Sequence, residues 1–218
     1  VRQPTWTVVV PVKRLAAAKS RLRGALPAVP HEELALALAA DTVRAVLACP
    51  AVAGVLVITD DSRVAAVAAA EGARVVPDAP GAGLNAALRH GARVAAADGP
   101  VRVAGITADL PALRPAELAA ALHAATAGSG PVRRFVADAP GTGTVLLAAP
   151  PGLPLDPRFG GGSAAAHTDS GAVPLTGDWP SLRRDVDTAA DLAAAARLGL
   201  GPRTALLAGT DQPAGRPA

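Results

Sequence analysis

The sequence predicts an α/β fold built on a mostly parallel central sheet, and three observations carry that expectation. Four short apolar runs, Thr7–Val10, Val55–Ile58, Ala73–Val76 and the run from Val101 that ends at Thr107, have the length of buried strands. Segments of helical period stand between them, as crossovers between parallel strands require. From Gly128 the pattern changes to two closely spaced runs, Arg134–Ala137 and Thr144–Ala148, around the turn Asp138-Ala139-Pro140-Gly141, an interval too short for a crossover helix. The expectation is a doubly wound sheet flanked by helices, with a β-rich elaboration in the C-terminal half.

Trp6 leads into the first run and Pro11 stops it. The segment PVKRLAAAKSRL then sets Lys13, Arg14, Lys19 and Arg21 just beyond a strand end, before Pro27 and Pro30 break the chain. Four cations there form either a solvated loop or a clamp for a triphosphate, since ammonium and guanidinium groups both bind phosphate oxygens. No GxxxxGK[ST] pattern decides between the two. Residues 31–48 repeat apolar positions at helical spacing with acids in the first turn, the pattern of a packing helix. Asp60, Asp61 and Ser62 offer N-caps to the helix that runs through Glu71.

After Val76, DAPGAGLNAALRHG supplies a glycine loop and a helix. Gly81 and Gly83 let backbone approach a ligand closely, and Asn85 either caps the helix or hydrogen-bonds a base or ribose. The stretch VRVAGITADLPAL, 101–113, delivers one carboxylate, Asp109, to the sheet edge beyond the strand ends, where open α/β sheets bind ligands. The alternative is that Asp109 only shapes the turn before Pro111. Pro115 fits the first turn of a helix reaching about Ala127.

In the C-terminal half, GTGT at 141–144 and FGGGSAAAH at 159–167 expose backbone amides. Gly160 to Ser163 precede a helical turn, giving an anion site or a surface loop with Ser163 as cap. PSLRRDVDTAADL, 180–192, sets Asp185 and Asp187 on one side of a short strand, while Thr188 and Asp191 make a capping box for the last helix. Residues 1–201 are expected to form a single domain and 202–218 a flexible tail rich in Gly, Pro and Ala.

Composition narrows the function. A net charge of +3, no Tyr and only two Phe and two Trp leave little for stacking bases, and the Lys and Arg residues are dispersed, so nucleic acid is not an expected partner. The lone Cys49 ends an apolar helical pattern and acts as a small buried hydrophobe; a single thiol suits the reducing cytoplasm. No apolar run approaches membrane-spanning length, so neither secretion nor membrane insertion is expected.

Two carboxylate sources, Asp109 and the Asp185/Asp187 pair, suit a shared Mg²⁺, which takes one or two protein carboxylates and completes its shell with water and substrate phosphates. Lys13, Lys19 and Arg21 add the cationic charge for a nucleoside triphosphate. That set stabilises charge developing on an α-phosphoryl group and on departing pyrophosphate. An acceptor that is itself a phosphate monoester is already ionised near neutral pH, so none of His31, His90, His123 and His167 is needed as a base.

The segments VPVKRLAAAKSRL, GLNAALRHG, ADLPALRP, FGGGSAAAH and DVDTAADL, in this order, resemble the guanylyltransferases of coenzyme F-420 biosynthesis, the CofC and FbiD family, over roughly residues 6–200. The resemblance implies a Rossmann-like nucleotidyltransferase fold and Mg²⁺-dependent transfer of GMP from GTP to phosphoenolpyruvate or 2-phospho-L-lactate, with release of pyrophosphate. It implies that Asp109 is a metal ligand partnered by Asp185 or Asp187, and that Lys13, Lys19 and Arg21 lie along the triphosphate. It also places Asn85 on the nucleotide side and Thr144, Gly160 and Ser163 around the phosphorylated acid. A transient contact with the next enzyme of the pathway is a further expectation. This chain has Gly161 and Ala189 where the family pattern has proline, which removes no proposed ligand. Another nucleotidyltransferase, acting on molybdopterin or a sugar phosphate, and a silent nucleotide-binding regulator are the alternatives.

Overall fold

A computed structural model describes residues 6–17, 22–26, 28–97, 99, 101–127 and 130–209. The four expected runs are strands β1 (Trp6–Pro11), β2 (Val52–Ile58), β3 (Arg74–Val76) and β4 (Arg102–Ile106). They run parallel to one another and are joined through helices α1 (His31–Leu47), α2 (Ser62–Glu71) and α3 (Leu84–Ala95). Pro11 is the last residue of β1, opposite Ile58, and the ladder is carried on by the Val12 amide, which donates to the Ile58 carbonyl over 2.9 Å. The chain continues through α4 (Pro115–Ala124), β5 (Arg134–Ala137), β6 (Thr144–Ala149), α5 (Ser163–Asp169), β7 (Val173–Pro174), α6 (Ala189–Leu198) and α7 (Pro202–Leu207).

Among the described residues the strands make one seven-stranded sheet in the order β3-β2-β1-β4-β6-β5-β7. β6 is antiparallel to β4 and β5, as the short turn after Ala137 requires, and the two-residue β7 lies parallel to β5. The order reverses between β1 and β4, and open α/β sheets bind ligands beyond the carboxyl ends of the strands at such a point. Their register pairs Val9 with Gly105, and Lys13 and Asp109 each follow four residues later.

Both faces of the sheet are covered. Val8, Val10, Val55, Val57, Ala104, Ile106, Leu146 and Ala148 enter the core that includes α1 and α4 residues, while Val9, Leu56, Ile58, Val103 and Leu147 enter the core with α3. That division is the two-residue alternation of a strand, and it makes each run apolar throughout. α3 approaches the sheet closely because Gly91 faces Val9 and Ile58, and Gly105 faces Leu88. A Cβ on Gly105 would stand 2.7 Å from Leu88 Cδ2.

Two expectations need correction. Asp185, Val186 and Asp187 are an extended segment outside the sheet, not a strand: the Val186 amide bonds the Asp109 carbonyl instead of a neighbouring strand. The last helix is α7, within the region expected as tail. Its start is fixed by Asp41, whose carboxylate accepts from the Arg203 and Thr204 amides at 3.1 and 2.7 Å. Asp41 is only 3% exposed and lies on α1, which seats α7 against the body of the protein. Among the described residues no helix is long and apolar enough to cross a membrane.

Candidate active site

The carboxyl edge of the parallel strands gathers most of the residues expected to act. The loop after β4 carries Asp109, half-buried, and is pinned along its length. The Leu110 amide donates to Thr42 Oγ1 (2.9 Å), and the Thr42 hydroxyl donates to the Leu38 carbonyl (2.8 Å). The Asp109 carbonyl accepts from Val186 N (3.0 Å), the Pro111 carbonyl from Gly201 N (2.7 Å), and Arg114 N donates to Ser181 Oγ (2.9 Å). Buried backbone amides seek partners this consistently because an unmet one costs about 1–3 kcal/mol. Asp109 thus rides on a loop held from α1, from the 181–187 segment and from the entry to α7.

Val186 is fully buried, Asp185 half-buried and Asp187 exposed. The bond from Val186 brings the backbone of both aspartates alongside the Asp109 loop although no ladder aligns them. Their segment is steered on one side by Glu117, whose Oε2 accepts from Ser181 N (2.8 Å) and Leu182 N (3.2 Å). On the other side Thr188 and Asp191 form the expected capping box at α6. Among the described residues no group of three or more His, Cys, Asp or Glu is gathered closely enough to hold a metal. A hard cation held by one or two carboxylates and by substrate phosphates does not need three, and the donors present here are carboxylate oxygens.

Lys13 and Arg14 are exposed just past β1. Lys19 and Arg21 lie outside the described residues. The turn at Leu15–Ala17 is tied to Asp61, whose Oδ2 accepts from Leu15 N (3.0 Å) while Oδ1 accepts from Arg63 N (3.0 Å) and Val64 N (3.2 Å) as the cap of α2. Burial alone would raise the Asp61 carboxyl, but the amides of Leu15, Val64 and Arg63 outweigh it and hold it below the usual carboxylate range. Sequence reasoning gave Asp61 only the cap. Its second bond anchors the cationic loop.

Gly81 and Gly83 both take positive φ, +55° and +88°, and face open space. Gly83, not Asn85, is the cap residue of α3. Asn85 instead clasps the backbone of Phe159: its Nδ2 donates to the Phe159 carbonyl (2.9 Å) and its Oδ1 accepts from Phe159 N (2.8 Å). The first turn of α3 and the FGGGS loop are therefore joined through one amide side chain. Gly160 and Gly162 are at φ +138° and +69°. Ser163 is the first residue of α5 and 2% exposed; the cap position belongs to Gly162, so Ser163 is not the cap.

The 138–144 hairpin is closed by Asp138, which accepts from the amides of Thr142 and Gly143, both at 2.9 Å, and its Thr142 carbonyl accepts from Ala164 N of α5 (3.1 Å). Thr144 begins β6 on the same edge as Asp109, since Leu146 pairs with Ile106 and Thr107 N donates to the Val145 carbonyl (3.0 Å). Thr144 is 6% exposed, and its Oγ1 is 2.9 Å from Nδ1 of the fully buried His167. His167 Nε2 accepts from Arg158 N (2.9 Å), and its ring lies 5.3 Å from Phe159 and 5.6 Å from Phe135. Burial pushes this histidine down to about 4. A cleft of about 800 Å³ lined by Arg89, Arg93, Arg133, Val101 and Leu155 opens at the opposite end of β4 and takes no part in this edge.

The fold is that of the α/β nucleotidyltransferases. A nucleotidyl transferase from Methanothermobacter superposes with a TM-score of 0.66 at 22% identity, covering 90% of this chain and 98% of that one. CMP:2-keto-3-deoxy-manno-octonic acid synthetase complexed with CTP gives 0.52 at 16% identity, over 94% and 99%. Within that class the chain belongs to the CofC family of guanylyl transferases, whose model, guanylyl transferase CofC like, matches residues 6–171. It is 74% identical to the phosphoenolpyruvate guanylyltransferase of Salinispora arenicola over 97% of both chains. It is 57% identical to that of Streptomyces coelicolor over 93% of this chain and 95% of the other.

Proposed function

We propose that this protein transfers GMP from GTP to the phosphate of phosphoenolpyruvate, releasing pyrophosphate, as a step of coenzyme F-420 biosynthesis. The observation that carries the site assignment is the hydrogen bond from Val186 to Asp109, which draws the DVD segment to the strand-end aspartate at the reversal point of the sheet. The acceptor is supported by 74% and 56% identity to two phosphoenolpyruvate guanylyltransferases.

An ionised oxygen of the acceptor phosphate attacks the α-phosphorus of GTP in line with the α–β bridging oxygen. The new P–O bond forms as the bridging bond breaks, and its electrons leave on pyrophosphate. Asp109, with Asp185 or Asp187, would hold Mg²⁺. When bound there, Mg²⁺ supplies positive charge against the α-phosphoryl oxygens and the departing pyrophosphate. Lys13, with Lys19 and Arg21, binds the triphosphate, and Gly81 and Gly83 allow the nucleotide to approach backbone. Thr144, Gly160 and Ser163 hold the phosphorylated acid. Asn85 contributes by tying the nucleotide side to the acceptor loop through Phe159. No histidine acts as base; both ring nitrogens of His167 are already engaged.

An acceptor screen tests this. Purified protein with GTP and Mg²⁺ is offered phosphoenolpyruvate, 2-phospho-L-lactate, a sugar 1-phosphate and molybdopterin, with products read by mass spectrometry. Pyrophosphate and a guanylylated phosphoenolpyruvate are expected. GTP binding without pyrophosphate release under any acceptor refutes the reading.

A further inference from the structure

His167 is the one buried titratable ring beside the acceptor-side residues, and the reaction as described gives it no work. The hydrogen-bond donors around it fix its form. A backbone amide only donates, so the bond from Arg158 N requires an unprotonated Nε2. The ring is fully buried and neutral, so its single proton sits on Nδ1. Thr144 Oγ1, 2.9 Å from Nδ1, then lies where it accepts that proton, beside the Ser163 carbonyl, which also favours a proton on the ring. A threonine hydroxyl that accepts from one side keeps its own proton for another acceptor, and no acceptor for it is found among the described residues.

We propose that His167 is a positioning residue that turns the Thr144 hydroxyl into a fixed hydrogen-bond donor for an anionic oxygen of the acceptor, phosphate or carboxylate. The proposal rests on Thr144 belonging to the acceptor site. Three features of the surroundings support the arrangement. The ring is clamped between Phe135 and Phe159, so it cannot rotate freely to change partners. Its Nε2 partner, Arg158, adjoins Phe159, whose backbone Asn85 holds. Its Nδ1 partner stands on the strand that borders β4, the strand leading to Asp109. A free hydroxyl chooses between donating and accepting; this one is committed before the substrate arrives, which lowers the ordering cost of binding.

The ring nitrogens of the wild-type protein, read by two-bond ¹H–¹⁵N NMR at neutral pH, give the first test. A neutral ring protonated on Nδ1 is expected; an Nε2-protonated ring or an imidazolium overturns the proposal. Kinetics give the second. Thr144→Val raises KM for phosphoenolpyruvate about tenfold or more with KM for GTP unchanged, as loss of a bond to a charged oxygen predicts. His167→Gln, whose amide oxygen reaches the Arg158 amide but not Thr144, gives the same split. The double variant is no worse than Thr144→Val alone, and His167→Asn, with an amide nitrogen near the Nδ1 position, retains most of the affinity. Additive effects of the two substitutions overturn the role of His167. An unchanged KM in Thr144→Val instead overturns the placement of Thr144 at the acceptor, whatever the NMR shows. Where the His167 variants do not fold, Thr144→Ser decides: it keeps the hydroxyl and is expected near the wild-type KM, and a value like that of Thr144→Val overturns the proposal.

Discussion

The Val186 amide donates to the Asp109 carbonyl over 3.0 Å, and this one bond joins two segments 77 residues apart into a common edge. It uses backbone atoms only, so it engages neither carboxylate of the flanking Asp185 and Asp187. The consequences reach beyond this pair, because the same loop is held from α1 and from the entry to α7.

Thr42 supports the Asp109 loop from beneath. Thr42→Val keeps the shape of the side chain and removes the acceptor for the buried Leu110 amide. Stability should fall by about 1–3 kcal/mol, and kcat should fall while KM for GTP changes little, since the loop and not the cationic turn is disturbed. Urea unfolding and steady-state kinetics on the same preparation check both halves; an unchanged kcat would show that the loop holds its place without Thr42.

Asp61→Ala removes a helix cap and the tether of Leu15 together. The cap alone is worth about 1 kcal/mol. Loss of the tether should also raise KM for GTP, roughly five- to tenfold, with KM for phosphoenolpyruvate little affected. If KM for GTP stays put while stability drops, Asp61 is a cap and nothing more.

Much of the fold was legible because the parallel half writes its strands locally. Val8 to Val10 and Val55 to Ile58 are apolar on both faces, and the helices between them repeat at their own period. What escaped was set by partners far away in sequence. Alternating Asp185, Val186 and Asp187 describe any extended segment, and only the distant Asp109 carbonyl decides that this one lies outside the sheet. Asn85 reads in sequence as a cap or a base ligand; nothing local shows that its amide clasps the Phe159 backbone, 74 residues on. Pro202 after Gly201 resembles a loop until Asp41, buried on α1, supplies the cap. The aspartate after an apolar run, Asp109, follows the end of β4, where its local pattern puts it. His167 and Glu117 gave no local sign of their roles.

Gly201→Ala tests the α7 correction. A Cβ there would stand 2.5 Å from Asp41 Cγ, so either the carboxylate or the helix must move. Overpacking of this kind costs about 1–3 kcal/mol, and the Gly201 amide that meets the Pro111 carbonyl would shift with it. A lowered melting temperature is expected; wild-type melting would mean that α7 contributes nothing to the folded body.

Acid stability should carry two signatures. Burial first, then the charges of Arg158 and Arg133, lower His167 to about 4 against the opposing Ser163 carbonyl and Asp156. An unfolded histidine titrates near about 6.5. The unfolded chain therefore binds the extra proton between those values. This contribution is complete above about pH 6.5 and drains away as pH falls toward 4, by about 3 kcal/mol at most. Asp61 adds a later loss: its depressed carboxyl stabilises above the unfolded value near about 3.9 and ceases to as pH drops through the folded one. Urea midpoints measured from about pH 8 to about pH 4 should decline from near neutrality in the wild type and stay flatter in His167→Gln; a flat wild-type profile over that range contradicts a neutral buried ring.

The most direct measurement is the rate of pyrophosphate release from GTP and phosphoenolpyruvate by Asp109→Asn, beside its thermal melt. The substitution keeps the side-chain shape and leaves the backbone bond from Val186 intact, so melting should match the wild type. Turnover should fall about a thousandfold or more, the scale of losing a group that stabilises transition-state charge. Turnover within a few-fold of wild type in a folded variant would contradict the assignment of Asp109, and with it the site built around the edge of β4.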